Sequence, residues 1–175
     1  MAVREILLLG HPLLRKKCER VIDFSDPVVH QTIDDLRDTL AHFRSTHGFG
    51  RGIAAPQISV TKRIIFINID MPMVLVNPRI TFRSKKMMML WDDCFSFPDI
   101  MVKVRRHLAI QVKYQNEKGK KETLEVTDGL SELLQHEIDH VDGILAIDRA
   151  IGSKHIILRS EWKRKASAEK SLHQL

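Results

Sequence analysis

Between Asp128 and Gly143 lies a helical segment that leaves no face for water. At about 100° per residue, Leu133, His136, Glu137 and His140 fall on one side, whereas Leu130, Leu134, Ile138, Val141 and the following Leu145 fall roughly opposite. The second stripe is apolar and predicts packing into a core. The first is polar but grouped, with two imidazoles four residues apart flanking a carboxylate, the spacing at which both rings can offer nitrogen to one ion. A helix with two opposed stripes to bury must be enclosed by other layers and must open onto a site along its histidine side. The competing reading is a chance HExxH on a surface helix, and the opposed apolar stripe argues against it.

The rest of the chain supplies those layers. Ser25 and Asp26 as caps, Pro27 in the opening turn, and Val29, Ile33, Leu36, Leu40 and Phe43 at spacings of three and four predict a first helix that ends before Gly48. From Arg63 to about Val126 the pattern changes to short β-rich runs, RIIFINI, VLVNPRI, MVKV, LAIQVKY and TLEV, broken by turn residues such as Asn116 and Gly119. A third, polar helix is predicted over about Ser160 to Leu172. The expected class is α+β, with mostly antiparallel sheets packed around a central HExxH-bearing helix, an N-terminal helix and a C-terminal helix.

A length of 175 residues suits one domain spanning 1–175, and no repeat or low-complexity linker divides it. The longest apolar runs, Ile6 to Leu9 and Ile64 to Ile67, are far short of the roughly 20 residues that span a bilayer. The opening MAVREILLLGHPLLRKK has too short an apolar segment for a secretory signal, so the expected location is cytoplasmic, without a membrane. The net charge of +6 comes from scattered lysines and arginines without interleaved aromatics, which disfavours nucleic acid as a sequence-specific partner. Cys18 and Cys94 are the only cysteines, and nothing marks them as a structural disulfide.

Two histidines leave a catalytic metal in want of a third protein ligand and an open position. Cys94 is one candidate, in WDDCFSFP, read as a polar, turn-prone interruption between β-like runs; the other reading of a lone cysteine is a small buried hydrophobe. Glu161, downstream of the helix, is the ligand that a zinc metallopeptidase would use, although its place suits a helix-start acid. A third segment, GRGIAAPQ at residues 50–57, combines glycines that allow close backbone approach with Pro56, which can hold Gln57 rigidly. Standing alone, it would read equally well as a tight connection.

Taken in order, GRGIAAPQ, DDCFS and QHEIDHVDG resemble the three signature segments of the peptide deformylase family, and the likeness extends to the N-terminal LGHPLLRKKCERV. The resemblance implies Cys94, His136 and His140 as metal ligands and hydrolysis of the N-formyl group from the terminal methionine of a nascent chain, with release of formate. It implies Glu137 as acid/base, the Gln57 amide and Phe95 N–H as donors to the developing oxyanion, and Gly52 beside the substrate backbone. It implies ferrous iron in the cell, with zinc or nickel as substitutes, although Cys and two His suit several first-row metals. Asp139 resembles a carboxylate that supports the ligands from behind, paired with Arg106.

The sequence departs from the family where EGCLS becomes DDCFS, so that Asp92 and Asp93 replace Glu and Gly, and where Arg51 stands in place of an apolar residue. Arg51 and Asp93, opposite in sign, are expected to border the substrate groove and alter which formylated group enters, or else to form an inert surface pair. The stretch from Leu158 to Lys170 is basic, with Trp162 and Leu172 as apolar anchors, and Arg159, Lys163, Arg164 and Lys165 would offer a transient ribosome contact if they are not simply a solvated face. Alternatives to the housekeeping reaction are another formylated substrate, a ribosome-associated binding protein with little catalysis, and the metallopeptidase that uses Glu161.

Overall fold

The computed structural model describes the backbone of residues 2–172 and the side chains of residues 2–166. The first long helix, α1 (Pro27–His47), begins where the sequence places it: the Asp26 carboxylate accepts from the Val28 N–H at 2.8 Å and Pro27 occupies the first turn. It stops at Gly48, whose φ of 77° turns the chain out of the helix at little cost for a residue without Cβ. Two sheets follow, both antiparallel. One runs in the order β1 (Gly52–Ala54), β2 (Ile64–Asn68), β3 (Pro72–Arg83), β6 (Ala109–Gln115), β7 (Lys121–Thr127). The other runs β4 (Met87–Asp93), β5 (Ile100–His107), β8 (Ile156–Leu158).

The HExxH helix, α2 (Asp128–Val141), lies between the sheets, touching every strand of the larger one and β5 of the smaller. All residues from Ser131 to Val141 are buried, as the two opposed stripes require. Leu133, Leu134, Ile138 and Val141 pack on Ile65, Ile67, Leu75, Ile110 and Val112 of the larger sheet. Ile64, Phe66 and Val76, on the other face of the same strands, meet Ile33, Leu36, Leu40 and Phe43 of α1. The continuous apolar run of β2 therefore reflects a strand covered on both faces. A third cluster, built from Leu14, Cys94, Phe97, Val102, Val104 and Leu145, seals the smaller sheet.

Two expectations need correction. Trp91, Asp92 and Asp93 are not a turn-prone interruption; they form the end of β4, with Asp92 opposite Val102 and Asp93 opposite Met101. Their polarity mimics a loop, but Asp92 is buried and its charge is met by Arg106 on the neighbouring strand, a pairing that no local pattern reveals. β3 is also longer than its apolar stretch, because the Asn77–Pro78 step is absorbed as a register irregularity against β6, with Asn77 at φ 53°.

The C-terminal helix, α3 (Arg159–Leu172), occupies the expected segment. The anticipated anchor Leu172 lies outside the described side chains. No helix among the described residues is long and apolar enough to cross a membrane.

Candidate metal centre

Three buried side chains converge beside α2. His136 and His140 present their Nε2 atoms 3.1 Å apart, and Cys94 Sγ, delivered by the turn that follows β4, lies 3.3 Å from His140 Nε2. These donor atoms all fall within 4.8 Å of one another. Tetrahedral bonds of roughly 2.0 to 2.3 Å would set ligand atoms about 3.3 to 3.6 Å apart, so the trio has nearly the spacing a bound transition metal demands. Thiolate and imidazole are also the donors such an ion prefers.

A second group, Asp92, Glu132 and His136, is as compact, but Arg106 already pairs with Asp92 and Arg51 with Glu132. Among the described residues no lysine or arginine pairs with the Cys–His–His set, and it fits an ion better.

The support behind the donors is a chain of charges. Asp92 Oδ1 lies 2.9 Å from His136 Nδ1, placing its charge at the edge of the ring away from the other donors. Its other oxygen accepts from Arg106 Nη2 at 3.0 Å; Arg106 also donates to Asp139, and Asp139 accepts from Arg149 Nη2 at 2.8 Å. Burial works against the charge of Asp92, but His136 and Arg106 overcome it and hold the carboxyl down to about 2. The Asp139–Arg106 pairing is thus present, with Arg149 as an unforeseen third member.

Glu137 sits beside the donors, 3% exposed, with Oε2 lacking a partner among the described residues. Burial pushes its carboxyl up to about 7. Gly52 explains how it fits: a Cβ there would stand 2.9 Å from Glu137 Oε1 and 3.0 Å from Ile67 Cγ2, so only glycine lets β1 pass this close. Across the site, Gln57 Oε1 accepts from the Ala54 N–H at 2.9 Å, which orients the amide so that Nε2 points toward Ser96 Oγ at 3.3 Å and Cys94 Sγ at 3.7 Å. Phe95 follows Cys94 directly, and its ring stacks on Phe43 of α1 with centroids 3.8 Å apart. Gly52, Gln57, Cys94, Phe95, His136 and Glu137 therefore line one cleft of about 330 Å³, and His140 lies behind it against Cys94 and His136.

Other expectations do not survive. Glu161 belongs to neither donor group and pairs with Arg164 three residues on along α3. Arg51 and Asp93 both line the cleft but are not partners of each other: Arg51 donates to Glu132 Oε2 at 2.5 Å, and Asp93 accepts from Arg159 at 2.8 Å. Arg159 is thereby withdrawn from the basic face assigned to it, and its guanidinium also lies over the Phe49 ring. Glu132 was missed. Its signal was available, since it stands four residues before His136 and hence on the same side of the helix. Ser96 and Arg149 carried no such signal, because their roles arise from neighbours distant in sequence.

Comparison with known proteins bears on this arrangement. A family model described as polypeptide deformylase matches residues 3–155. Peptide deformylase 2 of Clostridium perfringens is 39% identical over 153 residues, covering 86% of this chain and 94% of the relative. The crystal structure of a peptide deformylase from Legionella pneumophila superposes with a TM-score of 0.81 at 33% identity, over 99% of this chain and 98% of that one. A peptide deformylase from Synechococcus elongatus, solved in complex with actinonin, gives a TM-score of 0.80 at 30% identity, over 87% of this chain and 81% of that one.

Proposed function

This chain belongs to the peptide deformylase family, metal-dependent hydrolases that remove the N-formyl group from nascent polypeptides, and from that premise we propose that Cys94, His136 and His140 hold the metal while Glu137 moves the proton. The observation that carries the assignment is the convergence of one sulfur and two imidazole nitrogens, with Cys94 Sγ 3.3 Å and His136 Nε2 3.1 Å from His140 Nε2, beside a buried carboxylate. A divalent ion held there supplies a Lewis acid that polarises the formyl oxygen and makes water more acidic.

The chain's own residues do the rest. Glu137 accepts a proton from the attacking water and returns it to the amine nitrogen as the formyl C–N bond breaks, so that formate and a free amino terminus leave. Gln57 Nε2 and the Phe95 N–H are donors to the negative charge that develops on the formyl oxygen, and the clamp from Ala54 to Gln57 Oε1 keeps that amide from turning its oxygen inward. Gly52 leaves room for substrate backbone beside β1. The Asp92 carboxylate beside Nδ1 favours a proton on that nitrogen of His136 and so leaves Nε2 to face the metal.

Ferrous iron is the metal we propose for the cell, with zinc or nickel as functional substitutes, and the enzyme is proposed to work in the cytoplasm as one catalytic domain. Anaerobically iron-loaded protein is expected to release formate from formyl-Met-Ala-Ser. C94A should lose the metal and the activity, and E161A should keep both. Retention of a full metal complement by C94A would sink the ligand assignment.

A transient contact with ribosomal phosphate, through the exposed Lys163, Arg164 and Lys165 of α3, is the further partner proposed. Charge reversal of the three in K163E/R164E/K165E should weaken co-sedimentation with ribosomes without changing formate release; unaltered co-sedimentation would remove that contact.

A further inference from the structure

Beyond the donors, one wall of the cleft is charged, whereas Phe49, Phe95 and Leu133 line other parts of it. Arg51 stands just before β1, and Glu132 lies one helical turn before His136, so together they face the space next to the reacting group. Arg51 Nη2 donates to Glu132 at 2.5 Å and Nη1 donates to the carbonyl of Gly129 at 3.2 Å, which fixes the guanidinium in place. The pair is lopsided: the Glu132 side chain is 6% exposed and that of Arg51 45%. A molecule entering the cleft therefore meets the guanidinium and not the carboxylate. Asp93 lines another part of the same cleft, where it is paired with Arg159 and not with Arg51.

When a formyl carbon lies against the three donors and Glu137, the side chain of the residue that carries the formyl group extends only a few bonds farther. The turn of α2 bearing Glu132 and Leu133 is the turn directly before His136 and Glu137, so the Arg51–Glu132 pair lies within reach of this side chain. A large apolar group pressed there strips water from the guanidinium and gives it no acceptor, whereas an acceptor replaces the water it displaces. Pockets that hold apolar groups are lined mainly by apolar side chains, and this wall is not.

We propose that Arg51, anchored by Glu132, selects formylated substrates whose first side chain carries a hydrogen-bond acceptor, a carboxylate or carboxamide oxygen, over those with a large apolar one. This rests on the deformylase reading of the same site and defines its substrate class. The guanidinium acts as the specificity-determining group and Glu132 as its positioning residue.

The test compares kcat/KM of metal-loaded protein for formyl-Glu-Ala-Ser, formyl-Gln-Ala-Ser, formyl-Met-Ala-Ser and formyl-Lys-Ala-Ser, and measures calorimetrically the Kd of the same peptides on metal-loaded E137A. The Glu and Gln peptides should exceed the Met peptide by about tenfold or more in both readouts, with the Lys peptide poorest. In R51V/E132I the ranking of Met and Glu peptides should invert while metal content stays the same. If that variant fails to fold, the wild-type ranking still decides. A Met peptide that equals or outranks the others in turnover and binding overturns selection by Arg51 and leaves the deformylase reading standing. No formate from any of the four peptides, with one metal bound per chain, overturns that reading and the inference together.

Discussion

Replacement of Glu137 by Gln is expected to leave one metal ion per chain and to lower kcat by about 10²- to 10⁴-fold, the range in which a positioned proton-transfer group contributes. Gln has nearly the same shape and can keep the close packing against Gly52, so the loss would isolate the proton-accepting oxygen. His136, Cys94 and His140 are unchanged, and metal retention follows from that. KM should move little, because the carboxylate acts mainly on the transition state. Steady-state formate release alongside metal analysis separates the cases: activity within a few-fold of wild type would remove Glu137 from the mechanism, and loss of metal would make its role structural.

Arg106→Met should destabilise the fold by about 3–5 kcal/mol, the cost of leaving a buried ion partner uncompensated. The Arg106 side chain is 3% exposed and lies between Asp92 at 2% and Asp139 at 12%, so its removal strands two carboxylates in a region water reaches poorly. R149A is the contrast. Its side chain is 46% exposed and shares Asp139 with Arg106, so its loss should cost no more than about 1 kcal/mol. Urea denaturation of metal-free protein is the proper measurement, because bound metal would add its own stabilisation to the folded state. R106M should also weaken metal affinity by about 10- to 100-fold, since Asp92 would lose the cation that holds it against His136. Equal midpoints for the two variants would contradict the buried-network account.

Much of the fold was legible because its signals are local. Asp26 and Pro27 open α1 and Gly48 closes it by backbone chemistry that needs no distant partner. The opposed stripes of α2 demanded burial on two sides, and the sheets supply it. β4 was not legible, because Asp92 and Asp93 look like loop residues until Arg106 and Arg159 arrive from elsewhere in the chain. The same holds for Arg51 and Asp93, whose signs suggested a mutual pair although each has a closer partner.

The chain's order of residues by itself singled out the side chains proposed to carry the chemistry: His136, Glu137 and His140 share a helix side by periodicity, and Cys94, Gln57 and Gly52 stand in segments whose order marks the family. Only the tertiary structure shows the Cys94 sulfur within 4.8 Å of both imidazoles while Glu161 stands in neither donor group, and Arg51 held by Glu132 across 81 positions of sequence. Helical periodicity acts over a few residues and can be read from them alone. A charge chooses its partner by distance and by the water excluded between them, and both exist only once the sheets have closed around α2.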